Sequence, residues 1–294
     1  MDDIDTLIIR SLVLNSRLTY RELADMTDMS VSAIHKRVRG LEDDGTILAY
    51  IARPSIIALK YIWVTIFGRS NAKSMDAVSK ELGQHEGVNM VLINAGKFLY
   101  IKIYLRSIAE LQEYSSHISK VAQISEPSVG INNVSYMTTP EALTSIDYKI
   151  LKTLNRDARK PIVDIVEDVG VSAKTVRKRL NHMIEHKLAQ FSIEWAPAHE
   201  NTYLTLFYLY LNEAMNIDSM VHQLTTRFSQ PLQYCFTYSN IPNLILLVIT
   251  TKSSKETHKI QEELQTEGFK DVIPNVFFSI TWYECWVDEL LKSK

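Results

Sequence analysis

The sequence predicts an α+β protein built as two tandem copies of one plan, in which about fifty helical residues precede a βαββαβ run. Three observations lead there. Short patterns recur at a fixed offset of 142 residues: Ile4-Asp5 as Ile146-Asp147, Ser30 as Ser172, and Lys36-Arg37 as Lys178-Arg179. After each copy, segments with strand and helix periodicity follow in the same order. The composition is that of a folded chain: 46% hydrophobic and 22% charged residues, with nine Gly and eight Pro in 294 residues, exclude collagen, disorder and long low-complexity linkers.

Residues 4–48 align without gaps to 146–190, with Ile4, Asp5, Ile8, Leu12, Arg17, Ser30, Lys36 and Arg37 identical to their partners. Ala52-Arg53-Pro54 then matches Trp195-Ala196-Pro197, one residue out of step. Asp5–Asn15 carries Ile8, Ile9 and Leu12 at helical spacing. Thr19 caps a short helix over Tyr20–Met26, with Glu22 in its first turn. Thr27-Asp28-Met29 makes a tight turn, and Ser30 caps the next helix. In the second copy Pro161 opens a helix, Gly170 makes the turn and Ser172 is the cap.

The following segments read, in the first half, as strand Tyr61–Gly68, helix Lys73–Gly83, strands Val88–Asn94 and Phe98–Leu105 around Ala95-Gly96-Lys97, helix Ile108–Val121 and strand Val129–Met137. The second half repeats the order with Tyr203–Leu211, Asp218–Phe228, Leu232–Tyr238, Leu244–Thr250, Lys255–Thr266 and Val272–Trp282. Thr138-Thr139-Pro140-Glu141 links the halves. Trp63, Phe67, Phe207, Tyr208, Tyr210, Phe277, Phe278 and Trp282 fall on these strands and are expected in the core or between sheets.

Leu204–Leu211 and Leu244–Ile249 are the longest apolar runs, far below the ~18 residues that span a bilayer. Met1 is followed by Asp2, Asp3 and Asp5, the wrong charge for a secretory signal, so no membrane partner and a cytoplasmic location are expected. The sequon Asn133-Val134-Ser135 has no meaning there. Cys235 and Cys285 are the only cysteines, too few for a disulfide framework or a Cys-based zinc site. His182 and His186 stand at i, i+4, a spacing that can hold a metal, but no third ligand is evident nearby in sequence, and neither metal nor cofactor is expected.

The helix after each turn carries the functional signal. Ile34, Val38 and Leu41, matched by Val176, Leu180 and Met183, form an inward stripe. At ~100° per residue, Ser32, Lys36 and Arg39 point away from it with His35 on one shoulder. In the second copy the outward set is Lys174, Lys178 and Asn181, with Arg177 on the shoulder. Such donors on a short capped helix after a turn are suited to base edges and phosphates in a major groove, and Arg37, Arg179 and Thr175 are further candidates for phosphate contacts. Residues 1–55 hold seven Lys/Arg and nine Asp/Glu, net −2, whereas 144–199 hold ten and seven, net +3. The second copy is therefore expected to bind DNA more strongly, and reversing Lys178 and Arg179 to cost more than reversing Lys36 and Arg37.

These residues resemble the Lrp/AsnC family, the feast/famine regulators. The likeness is carried by Ile4-Asp5, by Ser30 through Glu42 ending at Gly45-Thr46-Ile47, and by Val169 through Leu180. It implies winged helix-turn-helix regions at 1–54 and 140–197, and ferredoxin-like effector regions at 55–139 and 198–294. It further implies a hinge strand between them and a sheet order of 4-1-3-2, which places Cys235 and Cys285 on opposite edges of their domain, unable to bridge. In the family two chains dimerise by packing such sheets face to face. Here one chain holds both halves, so a covalent pseudo-dimer reading an imperfect palindrome, or two interlocked chains, is expected. A small-molecule effector at a sheet interface and self-association follow from the same likeness. Members that bind amino acids tend to show Gly-x-x-Asp-Tyr, whereas this chain has Gly96-Lys97-Phe98-Leu99-Tyr100 and Asn240-Ile241-Pro242-Asn243-Leu244, without the acidic residue.

Siroheme decarboxylases share the implied architecture and make an enzyme the main rival reading. The eight histidines include His85, His117, His199, His222 and His258, which form no cluster along the sequence, and no phosphate loop, nucleophile elbow or metalloprotease His pair is present. No enzymatic activity is therefore expected. A sequence-tolerant architectural DNA binder is the third reading, opposed by the near-neutral first copy.

Overall fold

The computed structural model describes residues 1–133, 141–197, 203–213, 215–228 and 232–294. Thr138-Thr139-Pro140 of the linker, residues 134–137 of the expected strand, Val134 and Ser135 of the sequon, and His199 lie outside the described residues.

In chain order the first half comprises α1 (Asp3–Leu14), α2 (Tyr20–Thr27), α3 (Val31–Asp43), β1 (Ile47–Pro54), the single turn α4 (Ile56–Leu59), β2 (Ile62–Arg69), α5 (Met75–Leu82), β3 (Val88–Asn94), β4 (Phe98–Leu105), α6 (Leu111–Val121) and β5 (Ser128–Ile131). The second half comprises α7 (Ser145–Leu154), α8 (Ile162–Val169), α9 (Ala173–Glu185), β6 (Ala189–Trp195), β7 (Tyr203–Tyr210), α10 (Ile217–Arg227), β8 (Leu232–Tyr238), β9 (Ile241–Thr251), α11 (Ser254–Thr266), β10 (Asp271–Trp282) and α12 (Trp286–Lys292). The tandem plan is thus present. By contact the chain gathers into two compact units that each draw on both copies: Met1–Thr6 with Ile62–Val134 and Pro197–Tyr283, and Leu7–Tyr61 with Ser135–Ala196 and Glu284–Lys294.

The first unit is one eight-stranded sheet in the order β5-β2-β4-β3-β10-β7-β9-β8, two ferredoxin-like halves of order 4-1-3-2 joined where β3 meets β10. The joint is a change of partner along one strand. Asp271–Val276 of β10 pairs with β7, and Phe277–Trp282 pairs with β3. In each half the inward alternation differs by face. Val64, Ile66, Leu99, Ile101 and Ile103 pack with Val78, Leu82 and Ile118 of α5 and α6, while Phe207, Ile245 and Leu247 pack with Leu224 and Ile260 of α10 and α11.

The opposite faces meet each other. Phe67 lies 5.8 Å from Tyr208, Trp63 5.3 Å from Phe236, and the hydroxyls of Tyr100 and Tyr238 are 2.6 Å apart, although these strands are not neighbours in the sheet order. Strands buried on both faces need no polar alternation, which is why Leu244–Ile249 reads as an unbroken apolar run and Leu204–Leu211 as one interrupted only by the buried Thr205. Close approach is permitted at Gly130 of β5, where a Cβ would lie 2.3 Å from the Tyr238 ring. Asn240, in the turn after β8, completes the contact by accepting from Ile131 N and donating to Val129 O.

The second unit holds the helical copies. Their strands β1 and β6 pair antiparallel from Ile47↔Trp195 to Pro54↔Ala189. Each helical part also bonds to the strand of the other copy. Ser16 N donates to Phe191 O and Ser192 Oγ to Val13 O, while Ala52 N donates to Asn155 O and Ala158 N to Tyr50 O. The repeated arginines cross between the copies in the same way. Arg17 donates to the Ala158 carbonyl, and Arg159 Nη2 donates to the Leu18 carbonyl. At the strand pair, Arg53 is buried and donates to Glu194 (3.0 Å) and Asp288 (2.6 Å), with Arg156 supplying a second contact to Glu194.

Several expectations are corrected. Helix α12 is absent from the expected order; it supplies Asp288 and packs against α7 and β1. Cys285 stands just past the end of the fourth strand, at the N-cap of α12, where burial first, then the charge of Asp288, pushes its thiol up to about 11. Burial pushes half-buried Cys235 on β8 up to about 12. Both cysteines are free. Phe278 is 67% exposed and packs in neither core. Strand β9 begins at Ile241, three residues earlier than Leu244.

Candidate nucleic-acid interface

Each helical copy ends in a short helix, a turn and a longer helix, and local chemistry fixes all three. Thr19 caps α2 with a complete capping box to Glu22, and Ser30 and Ser172 accept the N–H groups of Ala33 and Thr175 to cap α3 and α9. The turn residue is left-handed in both copies: Asp28 at φ 54° and Gly170 at φ 73°, 142 positions apart. Gly takes that backbone at no steric cost, and Asp is among the few other residues that tolerate it. Ile34, Val38 and Leu41 in α3, and Val176, Leu180 and Met183 in α9, are buried and set the rotation of each helix.

That rotation exposes Ser32, His35, Lys36 and Arg39 on α3, and Lys174, Arg177, Lys178 and Asn181 on α9. The expected outward sets are therefore brought together, one per helix. Arg37 and Arg179, at equivalent positions, are half-buried flank residues. Arg179, expected as a phosphate contact, is engaged within its own unit. Its Nε and Nη2 both donate to the fully buried carboxylate of Asp147, which also accepts from Thr144 at the start of α7. Burial alone would raise the Asp147 pKa, but the bonds from Arg179 and Thr144 outweigh it and hold the carboxyl below its ordinary value. Arg179 thus orients α9 on α7. Thr175 is half-buried and its hydroxyl sits 2.9 Å from that of Ser172, as part of the cap.

Beside α3, His35 packs edge-on against Tyr20 at 4.9 Å, and the Arg159 guanidinium lies over the rings of Tyr20 and Tyr50. The Tyr50 hydroxyl donates to Glu42 at 2.6 Å, and burial followed by that bond pushes its pKa up. The second copy's arginine therefore supports the aromatic wall beside α3 of the first copy. Sequence reasoning missed this group because its members are far apart in the chain. The identity of Arg17 with Arg159 was the available signal.

The histidines do not stay scattered. His85 and His117 lie 5.1 Å apart by ring centroid, with burial, then the charge of His117, lowering the His85 pKa. His182 and His186 at the C-terminal end of α9 are joined by Glu141, which lies 3.0 Å from His182 Nε2 and 3.5 Å from His186 Nδ1. Glu141 is the third group that the neighbouring sequence did not reveal.

Two capped helix-turn-helix units with solvent-facing donors define a DNA-binding class of protein. Residues 1–47 match a winged helix-turn-helix DNA-binding family, and residues 143–184 match the AsnC-type helix-turn-helix domain. An HTH-type transcriptional regulator of Pyrococcus furiosus is 31% identical over 123 residues, spanning 41% of this chain and 83% of that protein. The HTH-type transcriptional regulator LrpA of Mycobacterium tuberculosis is 31% identical over 140 residues, spanning 46% and 93%. The chain belongs to the Lrp/AsnC family, and holds two of its helix-turn-helix domains in one polypeptide. The crystal structure of the siroheme decarboxylase NirDL matches 99% of this chain and 98% of its own at a TM-score of 0.63, with 11% identity, so the tandem fold is shared. No helix among the described residues is long and apolar enough to cross a membrane.

Proposed function

We propose that this chain is a sequence-specific transcriptional regulator that uses its two helix-turn-helix units as a covalent pseudo-dimer on an imperfect palindrome. The observation that carries the reading is that α3 and α9 share a capped, inward-anchored build but expose different donors: Ser32, His35, Lys36 and Arg39 against Lys174, Arg177, Lys178 and Asn181. Equivalent frames with different reading groups suit unlike half-sites, about one helical turn or a multiple of it apart. The net charge of +3 over 144–199 against −2 over 1–55 gives the second unit the larger share of phosphate affinity. The reading includes no catalytic role, and a cytoplasmic location.

An effector between the facing halves of the eight-stranded sheet belongs to the same reading. It is supported by buried polar atoms without a hydrogen-bond partner among the described residues: both side-chain atoms of Asn94, the Tyr208 hydroxyl and Nδ2 of Asn132. The position of the amino-acid turn is apolar in the first copy, where Leu99 is fully buried, and Asn240 holds β5 in the second.

The test is a titration of the purified chain on the DNA upstream of its own gene and on a scrambled duplex, at ~50 and ~200 mM salt, with a visible absorption scan of the same sample. Tighter binding to one duplex, with an asymmetric footprint, is expected. Equal salt-sensitive binding to every duplex, including those selected from a random pool, would replace the regulator with an architectural protein. A tetrapyrrole absorption band would bring the enzyme reading forward.

A further inference from the structure

We propose that Glu141, His182 and His186 form a binding site for one divalent transition-metal ion of the imidazole-preferring kind, with Zn²⁺ as the defining case. The geometry carries it. One ring nitrogen of each histidine and one carboxylate oxygen of Glu141 lie within 4.8 Å of one another. Oxygen Oε2 is 3.0 Å from His182 Nε2 and Oε1 is 3.5 Å from His186 Nδ1. An ion bound at about 2.0–2.1 Å from nitrogen and oxygen in tetrahedral geometry has its ligands roughly 3.3 Å apart. The two carboxylate contacts, one on each oxygen, are close to that separation.

The helix supplies the first two ligands without strain. His182 and His186 are one turn apart on α9 and its C-cap, with rings 4.3 Å from centroid to centroid. Two neutral imidazoles and one carboxylate make a set that neutralises part of the ion's charge and leaves open positions for water. Hard oxygen-seeking ions such as Mg²⁺ and Ca²⁺ are poorly matched to two nitrogens.

The tandem architecture provides an internal control. The positions equivalent to His182 and His186 in the first copy are Gly40 and Asp44, yet α3 forms with the same length of 13 residues as α9. The histidine pair is therefore not a requirement of the fold. It belongs to the second copy alone, and it ties Glu141, which precedes α7, to the far end of the reading helix α9. Metal binding would fasten the entry of the second helix-turn-helix to its reading helix and stabilise that unit without touching the exposed donors Lys174, Arg177 and Lys178. The inference stands whether or not the regulator reading does, because its readout is metal affinity.

The experiment is calorimetric titration of the untagged full-length chain with Zn²⁺, with a chromogenic chelator as competitor, alongside Glu141→Gln, His182→Gln and His186→Gln. Losing an outer-shell partner of a metal site costs about 10–100-fold in affinity, so losing a ligand is expected to cost at least that. One Zn²⁺ per chain, weakened about tenfold or more in each of the three variants, is the expected result. Melting of the wild type should rise with Zn²⁺ and that of His186→Gln should not. Far-UV circular dichroism of the metal-free variants, expected to match the wild type, separates loss of a ligand from loss of the fold. No saturable binding by the wild type would overturn the proposal. So would Glu141→Gln binding as tightly as the wild type, or equal binding by all four proteins.

Discussion

Helices α3 and α9 are the same device with different surfaces. Both are 13 residues long, begin after a capping serine and bury three apolar side chains at matched positions. On the outward side α3 exposes Ser32, His35, Lys36 and Arg39, backed by Tyr20 and the reaching Arg159, while α9 exposes Lys174, Arg177, Lys178 and Asn181. Inside one chain, selection acts on each copy separately, so the buried positions stay matched because each must fill the same kind of core, and the exposed ones are free to part. The difference also reaches the far end of the helix, where α9 carries the histidine pair that meets Glu141 and α3 has Gly40 and Asp44.

The comparison presumes that the two copies stand as one assembly, and Arg53 offers the severest way to break it. Arg53→Ala would strand Asp288 of α12 as a buried carboxylate without its cation, and leave buried Glu194 with Arg156 alone. Removing one partner of a buried pair costs about 3–5 kcal/mol. Chemical denaturation should show that loss; a variant within about 1 kcal/mol of wild type would mean that the strand pair does not depend on the cluster.

Asp147→Ala should have the next effect, about 2 kcal/mol at neutral pH from lost bonds to a charged partner. The sign with pH follows from the depressed carboxyl. Its stabilisation is complete above the ordinary aspartate range and is lost as pH falls through the lower folded-state value, so wild type and variant should converge in acid. A gap that stays constant down to the lowest pH at which the chain folds would show that the Arg179 pair is not its source. Ser30→Ala and Ser172→Ala probe what the copies share. Each removes an equivalent cap and should cost about 1 kcal/mol. Clearly unequal costs, measured by denaturation, would show that the two frames are less alike than their geometry.

The features legible in the sequence are the local ones. Caps, turns and inward stripes depend on residues within a few positions, so Thr19, Ser30, Gly170 and Ser172 can be placed from the sequence alone. Strands β3, β4 and β8 keep their sequence-derived bounds. The features that escape depend on distant partners. The hand-over of β10 from β7 to β3 pairs residues far apart in sequence, and no periodicity announces it. Helix α12 is only seven residues long and stands by burying Trp286, Val287 and Leu291. At the candidate interface the outward donors follow from helical phase, but the engagement of Arg179 requires knowing that α7 lies against it, and Glu141 reaches His182 across 41 positions.

The most direct test of the account is the salt dependence of binding to a duplex selected by the wild type from a random pool, measured for wild type, Lys36→Ala and Lys178→Ala between ~50 and ~200 mM salt. Each lysine that neutralises a phosphate contributes about 0.9 to the slope of log affinity against log salt. The account predicts that both variants bind more weakly with a shallower slope, and that Lys178→Ala loses more. Equal losses would contradict the asymmetry between the copies, and wild-type affinity in both variants would contradict the interface itself.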